Sequence, residues 1–101
     1  MKIYQLRYLD TLEADIATIT QYLEEQYVDP ALILTPIFDQ IVKDLSEFPY
    51  MYPVFHDDPR FRKMVVEKHL VFYIVDEPLQ AIEIHHIFHG KRNIKALLQK
   101  G

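Results

Sequence analysis

The chain has no cysteine. Neither disulfides nor a thiolate zinc site can hold it together. Glycine is almost as scarce, at two of 101 residues, and no linker, repeat or low-complexity run interrupts the sequence. The opening MKIYQLRYLD lacks the apolar run of a secretory signal, and no later stretch approaches the roughly 20 apolar residues of a membrane span. The expected setting is therefore cytoplasmic, with no membrane partner. What remains is half hydrophobic residues (50%) and about a quarter charged ones (26%), the profile of a packed globular chain. Its length suits one domain spanning residues 1–101 around a single core.

Charge is unevenly placed. Residues 1–58 carry three bases (Lys2, Arg7, Lys43) against eleven acids, a balance of −8, whereas residues 59–101 carry eight bases against four acids, a balance of +4. The acidic half argues against a protein that simply coats nucleic acid, while the basic half leaves room for a local cationic face. The same pattern also arises when charges merely follow solvated helix faces.

Residues 2–9, KIYQLRYL, alternate with Tyr4, Leu6 and Tyr8 on one side and predict a strand. Asp10-Thr-Leu-Glu13 is a variant capping box, so a helix should begin with Asp10 as its cap. Leu12, Ile16, Ile19 and Leu23 form its apolar stripe. Asp29-Pro30 stops that helix and caps a second one, striped by Ile33, Ile37, Ile41 and Leu45 and ending near Glu47. Pro36 should kink the second helix, or else delay its start to a cap at Thr35. FPYMYPVFHDDP (48–59) is too proline-rich for a helix or central strand and reads as an aromatic connection. RFRKMVV (60–66), HLVFYIV (69–75) and AIEIHHIF (81–88) follow as three strands joined by tight turns. The tail NIKALLQK is a short helix at most. The fold class is α+β: an N-terminal strand, a two-helix hairpin and a three-stranded antiparallel meander, with both helices on one sheet face and the other face open.

The cluster HHIFHGKRN (85–93) carries the chemical interest. On a strand His85 and His86 point to opposite faces, and His85 and His89 lie roughly 13 Å apart; they cannot share a metal, and none is expected. His86 continues the face of Ile82 and Ile84 and should be a core-facing imidazole tied to a neighbour. His89-Gly90-Lys91-Arg92 closes the last strand with an imidazole and two cations, and Arg62 and Lys63 in the first strand of the meander should lie near that end. The result would be one basic edge able to hold a phosphate or a carboxylate, or simply a solvated strand end.

The element order, with LSEFPYMYP (45–53), FRKMVVEKHLVFYIVDE (61–77) and IEIHHIFHGKRN (82–93), resembles the RelE/ParE superfamily of toxins from bacterial toxin–antitoxin pairs. The resemblance covers nearly the whole chain and is carried by Phe61-Arg62-Lys63-Met64, Phe72-Tyr73 and His89-Gly90-Lys91-Arg92. It implies a small toxin of the plasmid-stabilisation type, without cofactor, bound in a hetero-oligomer by a cognate antitoxin. Two activities occur in the superfamily: RelE-like members cleave mRNA in the ribosomal A site, and ParE-like members poison DNA gyrase.

A metal-independent nuclease would need a base, a proton donor and cations around the phosphate. His89, Lys63 and Arg92 are the candidates, with Tyr73 as a donor if it is not core. Two departures point away from cleavage: Leu70 stands after His69 where the nuclease branch usually has an arginine, and the tail lacks an aromatic. The acidity of the chain is a third. The resemblance is thus closer to the ParE-like branch, a binding toxin rather than an enzyme. Its target-binding surface would be Arg60, Arg62, Lys63, Lys91 and Arg92, helped by the segment from Asn93. Tyr50, Tyr52, Val54, Phe55 and Phe72 would offer the antitoxin an apolar groove, unless the loop aromatics fold back over their own core. A toxin that has lost activity but still binds antitoxin is the remaining alternative.

Overall fold

The computed structural model describes residues 3–99. Strand β1 (Gln5–Tyr8) leads into helices α1 (Asp10–Glu25) and α2 (Pro30–Leu45). Strands β2 (Arg62–Val66), β3 (His69–Asp76) and β4 (Ala81–His89) follow, and helix α3 (Ile94–Gln99) closes the chain. β2, β3 and β4 form an antiparallel meander, and β1 lies parallel beside β4, so the sheet order is β1-β4-β3-β2. The α+β architecture expected from the sequence is the one observed.

Local chemistry explains the helix ends. Asp29 accepts from the Ala31 amide at 3.0 Å and Pro30 takes the first helical position of α2, where its missing N–H costs nothing. At α1 the expected cap moves by one residue: Leu9, in extended conformation, is the cap and offers no side-chain bond. Asp10 instead sits in the first turn, where its charge meets the positive end of the helix dipole. The far end of α1 closes in a Schellman motif: Val28 N–H donates to Leu23 C=O (2.9 Å), and Tyr27 N–H donates to Glu24 C=O (3.0 Å). α2 continues unbroken past Pro36, so Thr35 is no cap. Pro36 lies on the exposed side, where water can serve the carbonyl left without its helical partner.

The stripes pack as their spacing predicts. Leu12 of α1 and Ile37, Ile41 and Leu45 of α2 meet Met64, Val71, Tyr73, Ile82, Ile84 and Ile87 of the sheet, with Ile16, Ile19 and Ile33 at the margin. Each fully buried aliphatic side chain contributes about 1.5–3 kcal/mol relative to exposure. Tyr73 is core, with its hydroxyl donating to Pro49 C=O at 2.7 Å, and burial pushes that hydroxyl well above the ordinary tyrosine range.

The second sheet face is covered, not open as the sequence suggested. Phe61, Phe72, Phe88 and Leu98 are buried there, joined by Phe55 from the aromatic connection and by Ile94 and Leu97 of α3. The tail is therefore a helix with a packing role.

One irregularity decides the histidine geometry. Tyr73 pairs with Ile84, yet Phe72 pairs with His86, so His85 is an extra residue, a β-bulge. Beyond it Ile87, not His86, occupies the core face, and the expectation of a core-facing His86 is corrected. The bulge also turns both imidazoles toward one ring: Phe61 lies 5.3 Å from His85 and 6.3 Å from His86. The expectation that the two point to opposite faces fails for the same reason.

Candidate functional site

β2 and β4 run in the same direction, each antiparallel to β3. The start of β2 therefore lies across from the middle of β4: Lys63 pairs with Phe72, and Phe72 with His86. His89 pairs with His69 at the other end. Lys63 is thus about 10 Å along the strands and about 10 Å across them from His89. The two also occupy different faces, because Lys63 Nζ lies 5.3 Å from the Phe55 ring over the aromatic face, whereas His89 borders a cleft on the helix side. The single basic edge expected from Arg60, Arg62, Lys63, Lys91 and Arg92 is not formed. It is two separate groups.

The first group belongs to the aromatic connection. Arg60 forms a two-pronged bond to Asp58 (2.9 and 2.6 Å), which holds the Asp58 carboxyl below its usual range. Arg62 donates to Tyr52 C=O at 2.7 Å and lies 4.9 Å from the Tyr50 ring. Arg62 thus braces the loop against β2, whereas the Arg60 bond closes within the loop itself.

Of the residues expected to face an antitoxin, only Tyr50 and Val54 are exposed. Phe72 is fully buried, and Phe55 packs edge-on against it at 5.0 Å. Tyr52 is half-buried and donates to Asp44 at 2.5 Å; burial and that bond push its hydroxyl up to about 12. The loop aromatics fold back over their own core. Tyr50 donates to Glu77, as does Tyr4, whose hydroxyl this bond raises to about 12. Phe48 and Met51 stay exposed beside Tyr50 and Val54, so the apolar surface that remains is smaller and lies on the loop's outer side.

The second group lines a cleft of about 540 Å³ between the helices and the open end of the sheet. One wall is apolar: Ile19 and Leu23 of α1 and Ile33 of α2, with Thr18 and Tyr22 at its border. The other is basic, formed by Lys68, His69, His89, Lys91 and Arg92. His69 and His89 face each other across the β3–β4 ladder with ring centroids 5.4 Å apart. His89 Nδ1 accepts from the Lys91 amide at 3.2 Å, which leaves its other nitrogen to donate when the ring is neutral. His69 is only 9% exposed; burial, and then the neighbouring His89, lower its pKa. Arg92 sits at the lip, its guanidinium 5.9 Å from the Phe88 ring.

Lys68 and His69 were not among the residues singled out from the sequence. A signal existed, since a tight β3–β4 hairpin must set some residue at the start of β3 opposite His89, but the unbulged register that runs from Asp76 and Ala81 would have chosen Lys68 for that position.

No curated protein sequence matches the chain. In its fold the chain is similar to the solved toxin–antitoxin complex RelBE2 from Mycobacterium tuberculosis, with a TM-score of 0.69 and 19% identity, covering 88% of this chain and 93% of that one. Residues 6–94 match the family described as ParE toxin of type II toxin–antitoxin system, parDE. The match runs from β1 to the start of α3, so the chain belongs to the ParE toxin family of type II toxin–antitoxin systems.

Proposed function

We propose that this toxin acts by binding DNA gyrase, not by cutting RNA, and that a cognate antitoxin neutralises it in a hetero-oligomeric complex. The observation that carries the reading is the ParE-type family match over residues 6–94. A second observation supports it: one of the three nuclease candidates, Lys63, stands apart from the other two, His89 and Arg92, which share the cleft. Lys63 lies on the aromatic face and His89 in the cleft, so Lys63 does not join His89 around one phosphate. Tyr73, the candidate donor, is fully buried with its hydroxyl bonded to Pro49. Lys91 and Arg92 are both exposed, and in this reading they supply cationic contacts to the target. The exposed apolar strip of Phe48, Tyr50, Met51 and Val54 suits a partner segment that folds on binding, and the solved RelBE2 structure is itself a toxin–antitoxin complex.

Induced expression without antitoxin, scoring growth, mRNA integrity and plasmid topology in the same cells, tests the reading together with a supercoiling assay on purified gyrase. Growth arrest with disturbed topology or broken DNA and intact mRNA is the expected result. Cleaved mRNA with normal supercoiling would transfer the assignment to ribosome-dependent cleavage. Unimpaired growth with soluble protein would leave an antitoxin-binding homologue without toxicity.

A further inference from the structure

We propose that the cleft between α1, α2 and the open end of β3 and β4 is a binding site for a small monocarboxylate with an apolar body. The inference is independent of the choice of toxin target. It starts from His69, a polar side chain that is nine-tenths buried, lines the cleft and, among the described residues, has no hydrogen bond, only the ring contact with His89. Among the described residues no fully buried side-chain nitrogen lacks a partner, so the unbonded ring nitrogens of His69 are reached from outside the core. The ring borders a space of about 540 Å³, within the usual range of about 300–1,000 Å³ for small-molecule sites.

The chemistry of the two walls selects the occupant. His89 has one nitrogen committed to the Lys91 amide, so the neutral ring offers one N–H, as does the neutral ring of His69. Two donors on facing rings 5.4 Å apart at their centroids match the two acceptor oxygens of one carboxylate, and neither ring need be charged. Lys68 and Lys91 at the same cleft supply the positive potential. Among the described residues, not one bordering the cleft is acidic, although residues 1–58, which include helices α1 and α2, carry eleven acids. A metal ion would be repelled by those cations. A nucleic-acid strand would leave the apolar wall uncovered and would run past Glu24 and Glu25, exposed next to Leu23 on α1. An apolar body on a single carboxylate satisfies both walls at once.

Octanoate is the probe, titrated into the full-length protein while the imidazole and backbone resonances are followed by NMR. Acetate, 1-octanol and inorganic phosphate serve as comparisons. Octanoate should bind at least about tenfold more tightly than acetate or 1-octanol, since a hydrogen bond to a charged group and burial of an alkyl chain each contribute that much. The largest shifts should fall on His69 and His89. Lys68→Ala, a substitution at an exposed residue, should weaken binding severalfold, and His69→Phe should abolish the preference for octanoate over 1-octanol. The proposal is overturned if 1-octanol binds as well as octanoate, if phosphate alone binds as tightly, or if the shifts fall away from His69 and His89. Loss of fold in His69→Phe would leave the Lys68→Ala comparison to decide, and unchanged affinity there also overturns it.

Discussion

Asp15 of α1 and His86 of β4, 71 residues apart in sequence, are joined by a 2.9 Å bond from the ring Nδ1 to Asp15 Oδ2, and the same oxygen accepts the Ile87 amide at 3.1 Å. The bond marks where a helix replaces a strand. β1 stops pairing with β4 at Tyr8 and Ile84, which would leave the rest of β4 as a bare edge. α1 takes over at once: Thr11 donates its hydroxyl to His85 C=O at 2.7 Å, and Asp15 serves the next free amide. The bulge at His85 is stabilised by side chains of the first two turns of α1.

Removing that carboxylate should therefore cost more than an ordinary surface change. Asp15→Ala strands the Ile87 amide and the His86 ring, and a decrease in unfolding free energy of about 1–3 kcal/mol is expected. Asp15→Asn keeps an acceptor for the amide and should recover part of the loss. Urea unfolding of the two variants checks this, and equal loss in both would show that charge, not hydrogen bonding, carries the contact.

Tyr27 predicts the opposite sign. It occupies the left-handed position of the Schellman motif at φ 59° while its side chain is 99% exposed. A residue with a Cβ pays about 1 kcal/mol or more for that conformation, and glycine does not. With no packing to lose, Tyr27→Gly should raise stability by about 0.5–1 kcal/mol. A lower midpoint in thermal or urea unfolding would show that the tyrosine ring makes a compensating contact in solution.

These two sites also show which features the sequence could reveal. Asp29-Pro30 was legible because capping is settled by neighbours one or two residues away, and the helix stripes were legible because one helix face must meet one core. The bulge at His85 was not, since it depends on how β4 registers against β3 and on side chains from α1. That single extra residue moved His86 off the core face and set His69 opposite His89. It also made the cleft from residues that no local pattern connects. The covered aromatic face was hidden for a similar reason: Phe55, Phe72 and Leu98 come from three distant segments.

His69 gives the fold a dependence on pH. Its pKa is lowered by burial and by His89, and Lys68, Lys91 and Arg92 around the same cleft also oppose a charge there. The unfolded chain then takes up the proton more readily than the folded one. The contribution of His69 to stability is fully present above the unfolded value of about 6.5, and is lost as pH falls from there through the lowered folded value. Stability should therefore rise with pH across that window, and His69→Gln should flatten the part of the slope that His69 supplies. Unfolding curves collected at several pH values, alongside an NMR titration of the ring, test the sign; a His69 midpoint at or above 6.5 would contradict it.

The two basic groups should differ in their importance for toxicity. Arg60 is bound by both prongs to Asp58, and Arg62 is held by Tyr52 C=O and the Tyr50 ring. Lys91 and Arg92 are exposed and, among the described residues, have no carboxylate partner. A cation already neutralised by a neighbour gains little from a partner, whereas an unpaired one gains both attraction and a bond. Lys91→Ala combined with Arg92→Ala should reduce growth inhibition on the order of tenfold, while Arg60→Ala should leave it within a factor of about three. Graded induction with matched protein levels measures both, and stability of the variants in complex with antitoxin separates loss of target contact from loss of fold. Equal sensitivity at Arg60 would relocate the target surface to the aromatic side of the sheet.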